Sequence, residues 1–362
     1  MKIIHCADVH LDSAMKKNLS REQSLQRKSE LLLTFETMIR YAQANDVKAI
    51  LIAGDLFDTN VVSRKTGSVV LNSIKQAQDI DFFYLRGNHD AYNFFASGEQ
   101  EEGLPGNLKL FSNQFMTYSY PEVTISGVEL TQDNQDTVYQ SLILDPGTFN
   151  IVMLHGQDSE YNSKDKAQVI ALNQLKNRFI DYLALGHIHM YKEGQLDNRG
   201  SYCYPGCLEG RGFDECGDKG FVLLEIKNGK MTKEFIPVAK RRLHELTVDV
   251  TGCGSTFEVA ERIGEAVGNV DSQDLVQVLL EGEVSMDSER NLPYLTEKFG
   301  QQFYTFQIKD KTRLAIEKTD YIHDVSLKGE FIRLCMEQSF DEEKQKAVME
   351  LGIHALMGEE LS

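Results

Sequence analysis

Two short stretches of this 362-residue sequence decide its fold class: residues 49–58 read AILIAGDLFD, and residues 82–90 read FFYLRGNHD. In each stretch, a run of apolar residues typical of a buried strand turns through a glycine into Asp, Asn or His. Segments with helical periodicity separate such runs along the first half of the chain. The pattern therefore predicts an α/β fold in which polar residues lie beyond the carboxyl ends of strands.

Five predicted strands each lead directly into a polar motif. The strands are predicted at residues 2–7, 49–53, 82–85, 151–154 and 182–185. The motifs that follow them are Asp8-x-His10, Gly54-Asp55-x-x-Asp58, Gly87-Asn88-His89-Asp90, His155-Gly156 and Gly186-His187-x-His189. Because ligands of α/β proteins bind beyond the carboxyl ends of the strands, we expect the five motifs to converge.

Each motif by itself is a weak signal, since an Asp at a strand end more often begins a turn or caps a helix. The ordered combination is stronger, because five of the nine histidines lie in it. Imidazoles and carboxylates gathered at one sheet edge are costly to bury without a cation. The combination therefore predicts a metal site.

The remaining patterns predict how the chain is divided. From about residue 123 the pattern becomes more β-like, and Asn228-Gly229 predicts a hairpin between strands at 221–226 and 231–237. These elements indicate an α/β sandwich of two sheets over residues 1–240. A small α+β domain is predicted at residues 241–318, followed by a helical segment at 319–362. An amphipathic helix near the start is predicted from the spacing of Leu25, Leu32, Phe35, Ile39 and Ala42.

Composition excludes several classes of protein. A formal charge of −17 lacks the basic bias of a typical nucleic-acid-binding protein, and 41% apolar residues exclude a disordered or fibrous chain. No apolar run approaches the ~20 residues of a membrane span, and the first residues do not resemble a signal peptide. Six cysteines are too few for a disulfide scaffold. We therefore expect a cytoplasmic protein without membrane association.

The five motifs resemble, in order, the pattern of the calcineurin-like metallophosphoesterase superfamily. The resemblance covers residues 1–240 and implies a two-sheet α/β/β/α sandwich with two divalent metal ions. Carried over residue by residue, it implies that the ligands of one ion are Asp8, His10, Asp55 and His189. The ligands that it implies for the other ion are Asp55, Asn88, His155 and His187, so that Asp55 bridges the pair.

Mixed oxygen and nitrogen ligands without thiolate suit Mn²⁺, Fe²⁺ or Zn²⁺, and Mn²⁺ is the ion expected here. Two such ions about 3.5–4 Å apart hold a hydroxide for in-line attack on a phosphodiester. His89 is not a ligand in this pattern. It is expected to protonate the leaving oxygen or stabilise its charge, with Asp58 or Asp90 as the orienting carboxylate.

Two departures argue against a protein phosphatase, because Thr59 and Asp90 replace the Arg and Glu that protein phosphatases carry. The sequence is instead similar to the SbcD-type branch of DNA-repair nucleases, including the stretch 204–221 that contains Arg211. This similarity implies that residues 241–318 form a capping domain. It also implies that the C-terminal helices dock on an SbcC-type coiled-coil ATPase. Arg211 is a candidate for a phosphate or active-site contact.

Local basic residues would have to contact the phosphates of DNA, although solvated surface charges are an equal alternative. The candidates are Lys16, Lys17, Arg21, Arg27, Lys28, Arg64 and Lys65. In the tail, apolar residues at helical spacing predict either an ATPase-binding face or packing of the two helices on each other or on the main domain. The predicted stripes comprise Leu327, Phe331, Leu334 and Cys335, then Val348, Leu351, Ala355 and Leu356; Met336, Met349 and Met357 are further anchors.

These observations predict a metal-dependent DNA nuclease that acts with an SbcC-type ATPase in DNA end processing or double-strand-break repair. A phosphodiesterase for small nucleotides or other phosphodiesters is the alternative, a non-catalytic scaffold ranks lowest, and a homodimer stays open. The charge is uneven, since residues 1–240 carry −6 and residues 241–362 carry −11. Two bound divalent ions would therefore make the cleft of the first domain locally positive.

Overall fold

The computed structural model describes residues 1–15, 19–58, 62–90, 94–96, 103–135, 137–158, 169–285, 288–316, 321 and 323–357. The chain divides into two compact units, Met1–Arg242 and Leu243–Ser362. None of the described helices has both the length and the apolar character that a membrane span requires. Lys16 and Lys17, predicted as phosphate contacts, and Thr59 lie outside the described residues.

The first unit contains two large mixed sheets and the helices that cover them. Its elements are β1 (Lys2–Cys6), α1 (Arg21–Ala44), β2 (Ala49–Ala53), α2 (Arg64–Gln76), β3 (Asp81–Leu85), β4 (Leu108–Leu110), β5 (Met116–Ser119), β6 (Val123–Gly127), β7 (Phe149–His155), β8 (Gln157–Asp158), β9 (Val169–Ile170), α3 (Leu172–Leu175), β10 (Tyr182–Gly186), β11 (Lys192–Gln195), β12 (Ser201–Tyr204), β13 (Gly220–Lys227) and β14 (Lys230–Pro237).

Parallel strands occupy the middle of both sheets. The first sheet has the order β14-β13-β1-β2-β3-β4. Strands β1 to β4 run parallel to one another, and β13 runs antiparallel to both of its neighbours, β1 and β14. The second has the order β11-β12-β10-β7-β6-β5, with antiparallel strands at its two edges. The five strands predicted to precede the polar motifs are confirmed as β1, β2, β3, β7 and β10.

The two sheets pack face to face around an apolar layer that includes Leu51, Phe83, Ile151 and Ala184. Helices α1 and α2 cover the other face of the first sheet. The outer face of the second sheet packs against α3 and a turn at Val138–Ser141, so its helical cover among the described residues is thin. The predicted two-sheet α/β sandwich is confirmed.

The predicted hairpin joins β13 and β14 in continuous register from Gly220↔Pro237 to Lys227↔Lys230. Asn228 and Gly229 lie between the strands with φ values of 53° and 70°. A two-residue turn with both φ angles positive matches the right-handed twist of the flanking strands. The prediction from the Asn-Gly pair is therefore confirmed.

Helix α1 begins at a capping box formed by Ser20 and Gln23 and buries most of its predicted stripe. Leu25 is an exception, because its side chain is 60% exposed. In the first turns the buried face instead carries Arg27 and Glu30. The placement of Leu25 on the buried face and the prediction of Arg27 as a phosphate contact were therefore wrong.

The second unit begins with a small parallel sheet. Its elements are β15 (Leu243–Asp249), α4 (Thr256–Val267), β16 (Leu275–Glu281), β17 (Glu283–Val284), α5 (Leu292–Gly300), β18 (Thr305–Asp310), β19 (Arg313–Leu314), α6 (Leu327–Met336) and α7 (Glu342–Met357). The sheet order is β15-β16-β18, and its core includes Val248, Ile263, Val278 and Phe299. Subdivision of this unit into a capping domain and a tail stays a prediction.

Helices α6 and α7 pack on each other through part of the predicted stripes and through residues that were not predicted. Their shared core contains Ile332, Cys335, Met349 and Ile353. The predicted stripe residues that the structure leaves more than 40% exposed are Leu327, Leu334, Leu351 and Leu356. Of the predicted residues, Cys335 and Met349 belong to this core and Phe331, Met336 and Val348 pack against it, whereas Ile332 and Ile353 were not predicted.

Candidate metal centre

The five motifs meet where the carboxyl ends of β1, β2 and β3 in the first sheet face those of β7 and β10 in the second. The chain turns sharply at these strand ends. Asp8, His10, Asp55 and His187 have φ values of 51°, 50°, 52° and 106°. Non-glycine residues rarely adopt such conformations, and residues that do cluster at functional sites.

Glycines allow the turning segments to approach each other closely. A Cβ at Gly87 would lie 2.1 Å from Asp55 Oδ1. A Cβ at Gly54, where φ is +87°, would lie 2.2 Å from His155 Nδ1. At these two positions, neighbouring polar side chains occupy the space that a Cβ would need, so only glycine fits.

One group of converging atoms comes from Asp8, His10 and His189, whose ligand atoms all lie within 4.8 Å of one another. His10 Nε2 and His189 Nε2 are 3.1 Å apart. Both residues are contributed by loops that begin at strand ends, and Asp8 and His10 are buried. Two imidazole nitrogens that point at one another beside a buried carboxylate fit a shared cation.

A second group lies beside the first. Asn88 Oδ1 is 3.1 Å from His155 Nε2 and 3.0 Å from His187 Nδ1. Asp8, Asp55 and His155 also bring their ligand atoms within 4.8 Å of one another. The structure thus brings together all seven residues predicted as metal ligands, and it places Asp8 close to both groups.

Asp55 lies between the two groups, with Oδ2 3.8 Å from His10 Nε2 and 3.4 Å from His155 Nε2. This buried oxygen accepts no hydrogen bond within the described part of the chain. A buried carboxylate oxygen without a donor is costly unless a cation neutralises it. The orphaned oxygen, the clustered imidazoles and the absence of thiolates from the donor set fit two divalent ions that share Asp55.

The pKa values of this cluster reflect burial and charge. Burial raises the pKa of Asp8 to about 6, whereas the neighbouring imidazoles His155 and His189 oppose the rise. Burial would raise the pKa of Asp55 as well, but His155 outweighs it and holds this pKa below its usual range. Burial opposes protonation of His155, yet Asp55 and Asp8 raise its pKa to about 9. Carboxylates and imidazoles in this cluster therefore stabilise each other's charged forms.

His89 occupies the open side of the cluster, with its side chain 46% exposed. Its Nδ1 lies 2.8 Å from Asp58 Oδ1, and this contact raises the pKa of His89. Asp90 has a different place. Its buried carboxylate accepts hydrogen bonds from the main-chain N–H groups of Phe57 and Gly87, at 2.8 and 3.0 Å. Of the two predicted orienting carboxylates, the structure brings Asp58 to His89, and Asp90 joins the second and third motifs.

Arg211 also reaches the cluster. Its guanidinium lies 3.3 Å from Asp58 Oδ2 and 2.9 Å from Glu215 Oε1. Glu215 Oε1 is also 2.7 Å from His189 Nδ1. Burial would raise the pKa of Glu215, but His189 and Arg211 outweigh it and lower the pKa. Glu215 was not predicted as a site residue, although it stands in the same quoted stretch of sequence as Arg211.

Comparison with known protein families identifies one that matches this chain. Residues 1–191, more than half of the chain, match the model of the calcineurin-like phosphoesterases. The chain belongs to this family. Members of the family use a dimetal centre, and the two groups of candidate ligands described above occupy the matched residues, as expected for a calcineurin-like phosphoesterase.

Three relatives of this calcineurin-like phosphoesterase match beyond the family region. The uncharacterized metallophosphoesterase YhaO of Bacillus subtilis is 28% identical over 300 residues, which are 78% of this chain and 72% of YhaO. The DNA double-strand break repair protein Mre11 of Sulfurisphaera tokodaii is 26% identical over 78% of this chain and 74% of its own. The SbcD component of the SbcCD nuclease of Staphylococcus saprophyticus is 25% identical over 68% of this chain and 71% of its own.

Proposed function

We propose that this metallophosphoesterase is a metal-dependent DNA nuclease that acts with an SbcC-type ATPase in DNA end processing or double-strand-break repair. The observation that carries the proposal is the reach of the similarity to Mre11, which extends over 298 residues and so continues past the family region that ends at residue 191. Similarity to the SbcD component of the SbcCD nuclease supports the same interpretation.

In this proposal Asp8, His10, Asp55 and His189 hold one divalent ion, and Asp55, Asn88, His155 and His187 hold the other. Bound divalent ions, with Mn²⁺ proposed, would activate water and neutralise charge on the phosphodiester. His89 lies outside both proposed ligand sets, although His10, Asp58 and His89 also bring one ligand atom each within 4.8 Å of one another. The side chain of His89 is 46% exposed. It donates a proton to the leaving oxygen from Nε2, while Asp58 holds Nδ1 at 2.8 Å.

Arg211 acts on this pair from the opposite side of Asp58. Its guanidinium is 3.3 Å from Asp58 Oδ2, whereas His89 contacts Asp58 Oδ1. The side chain is only 17% exposed and is already paired with two carboxylates. We therefore assign Arg211 to the orientation of Asp58 and His89 and not to a direct phosphate contact.

The ATPase is proposed to dock on the exposed leucines of α6 and α7. Leu327 is 71% exposed, Leu334 is 54% exposed and Leu351 is 56% exposed, although the two helices already bury a core between them. Exposed apolar side chains at helical spacing are typical of helix-in-groove recognition. A cytoplasmic location is proposed with this role, because all six cysteines are free.

A second candidate, hydrolysis of small phosphodiesters, is compatible with the similarity to YhaO, whose description names a metallophosphoesterase and no DNA substrate. The two functions separate in one assay. Linear duplex DNA, single-stranded DNA and a chromogenic phosphodiester are offered with Mn²⁺, with and without the ATPase. We expect Mn²⁺-dependent DNA cleavage that Asp55→Asn abolishes and that Glu225→Gln, a change at a partly exposed residue of β13, leaves intact.

Turnover of the small diester without DNA cleavage in any of these mixtures would contradict the nuclease and favour the second candidate. Binding of two Mn²⁺ ions without hydrolysis of either substrate would contradict both and leave a non-catalytic scaffold. Sedimentation of the same preparations determines whether the chain forms the homodimer that the sequence leaves open.

A further inference from the structure

The imidazole of His189 is held on the side away from the metal cluster by a buried carboxylate. Glu215 Oε1 lies 2.7 Å from His189 Nδ1. A carboxylate is only an acceptor and therefore favours a proton on this ring nitrogen, whereas the Arg211 guanidinium, which only donates, also lies 3.1 Å from Nδ1. Glu215 Oε1 is the closer of the two groups, and it accepts a hydrogen bond from the same guanidinium at 2.9 Å. His189 Nε2 is then the free nitrogen, and it points at His10 Nε2, 3.1 Å away.

Glu215 is itself fixed from several directions. Its Oε2 accepts a hydrogen bond from the main-chain N–H of Arg211 at 2.7 Å, and Oε1 accepts one from the Arg211 guanidinium at 2.9 Å. The Sγ of Cys207 lies 3.7 Å from Oε2. Glu215 is 4% exposed, so solvent does not compete for its oxygens. This surrounding leaves the carboxylate little freedom to move away from His189.

The main chain of His189 is held by the same segment of sequence. Lys219 is 2% exposed, and its Nζ donates to the carbonyl oxygen of His189 at 2.9 Å. Residues 207–219 therefore hold both the ring and the backbone of His189. Burial of a lysine and a glutamate beside one histidine is expensive, and a purely structural turn does not require it.

The other candidate metal position is supported differently. His155 Nδ1 lies 2.8 Å from the main-chain carbonyl oxygen of Ala53. A carbonyl fixes the tautomer of an imidazole, but a carboxylate also makes the ring a stronger ligand. His189 and His155 therefore differ in the charge of the group that contacts Nδ1 of each ring.

We propose that Glu215 is a positioning residue that keeps His189 in its Nδ1–H tautomer and strengthens binding of a divalent cation at Asp8, His10 and His189 selectively. The inference rests on the dimetal centre of the proposed function and not on the identity of the substrate. Removing the charge of Glu215 affects this position and leaves the position of Asn88, His155 and His187 unchanged.

The test measures Mn²⁺ binding by the full chain with electron paramagnetic resonance. Glu215→Gln is compared with the wild type, with Glu225→Gln as a control that removes the same charge from a partly exposed residue of β13. We expect one of the two Mn²⁺ dissociation constants to rise about 10- to 100-fold, which is typical when the carboxylate behind a metal-binding histidine is removed. The other constant stays within about twofold, and the spin-coupled signal of a metal pair appears only at higher Mn²⁺.

A double-mutant cycle shows whether Glu215 acts through His189. His189→Ala is expected to raise the same dissociation constant, and Glu215→Gln in that background is expected to add nothing. Equal weakening of both ions, an unchanged pair of constants, or the same effect from Glu225→Gln would overturn the proposal. Full additivity of the two substitutions would overturn it as well.

Nitrogen NMR of histidine-labelled wild-type chain without metal provides a readout that needs no folded Glu215 variant. The resonances of His189 are assigned by their loss in His189→Ala. A protonated Nδ1 and a bare Nε2 in the neutral ring support the proposal, and the opposite tautomer overturns it. A chain that binds two Mn²⁺ ions but cleaves no DNA would contradict the nuclease function and leave this inference standing, whereas a chain that binds none would contradict both.

Discussion

His89 differs from the other histidines of the cluster in its surroundings. His10 and His155 are buried and have ring nitrogens within reach of Asp55, whereas the side chain of His89 is 46% exposed and contacts Asp58. Its main-chain N–H donates to Asp55 Oδ1 at 2.8 Å, which fixes the loop without using the ring. Asp58 occupies Nδ1 of the ring, so Nε2 is the atom proposed to transfer the proton.

Substitution of His89 separates chemistry from metal binding. We expect His89→Gln to lower kcat for DNA cleavage by about 10²- to 10⁴-fold, because general acid catalysis contributes that much, while two Mn²⁺ ions still bind. Single-turnover cleavage and Mn²⁺ titration of the same preparation measure both effects. Asp55→Asn, the matched control, is expected to lose both. Loss of an Mn²⁺ ion from His89→Gln would show that His89 is a ligand.

Another histidine, His5, is buried in β1 with its Nδ1 2.9 Å from the hydroxyl of Tyr182 in the second sheet. Burial lowers the pKa of His5 to about 3. The unfolded chain protonates this residue near pH 6.5, and the folded chain does not. The stability contributed by neutral His5 is therefore fully present above pH 6.5 and is lost as the pH falls from 6.5 towards 3.

This difference predicts the pH dependence of unfolding. Between pH 7.5 and 5.5 the wild type is expected to lose about 1.4 kcal/mol of unfolding free energy through His5, a loss that His5→Phe does not show. Urea unfolding followed by circular dichroism at each pH gives the difference. His323→Phe, which changes an exposed histidine, is expected to retain the wild-type dependence. Parallel pH curves for His5→Phe and the wild type would refute the assignment.

Helix α1 is joined to distant parts of the first unit by buried ion pairs. Arg27 contacts Glu30 at 2.7 Å and Glu209 at 3.0 Å, and Arg241 contacts Glu30 at 2.8 Å. The same guanidinium of Arg27 donates to the carbonyl oxygen of Gly210 at 2.8 Å, next to Arg211. The helix therefore fixes the segment that carries Arg211 and Glu215, as well as the last residues of the unit.

Loss of Arg27 should remove a guanidinium from Glu30 and from Glu209, of which Glu30 keeps its contact with Arg241 at 2.8 Å. We expect Arg27→Met to destabilise the first unit by about 3–5 kcal/mol, because breaking a buried ion pair exposes the desolvation cost of the remaining charge. Urea unfolding measures this loss. Arg40→Met on the exposed face of the same helix is expected to change stability by less than about 0.5 kcal/mol. Similar stabilities for the two variants would contradict this account.

Across the whole chain, charge and exposed apolar surface are unevenly distributed. The net charge is −6 over residues 1–240 and −11 over residues 241–362, so most of the acidity lies outside the metal cluster. Metal-free DNA binding is therefore predicted to be weak and to strengthen with divalent ions. The exposed leucines of α6 and α7 lie in the acidic part of the chain. A partner surface with basic residues would complement the negative charge of this part.

Two nearby positions of α7, one exposed and one buried, test whether these leucines bind a partner. Leu351→Asp is expected to abolish co-purification of the ATPase while diesterase activity and the melting temperature stay unchanged, because Leu351 is 56% exposed. Ile353→Asp is expected to unfold the α6–α7 pair, because Ile353 is buried in their shared core. Deletion of residues 325–362 should also spare diesterase activity. Retention of the ATPase by Leu351→Asp would contradict the docking face.

Local patterns predicted much of this molecule. The five strands, the Asn228-Gly229 hairpin and the set of residues that converge as candidate ligands all follow from apolar runs that end in Gly, Asp, Asn or His. Such features are encoded within a few neighbouring residues, since strand length, turn chemistry and motif order are local. For the same reason, the motifs sufficed to identify the calcineurin-like phosphoesterases.

Contacts between distant residues could not be predicted in this way. Glu215 and His189 are separated by 26 residues, and Arg27 and Glu209 by 182, so no local pattern links either pair. Only the packed structure determined that Asp58 rather than Asp90 contacts His89, and which side of α6 and α7 is buried. These outcomes depend on which strand ends and helix faces meet in the folded chain. Tertiary packing decides them, because the burial of each side chain depends on its neighbours in space.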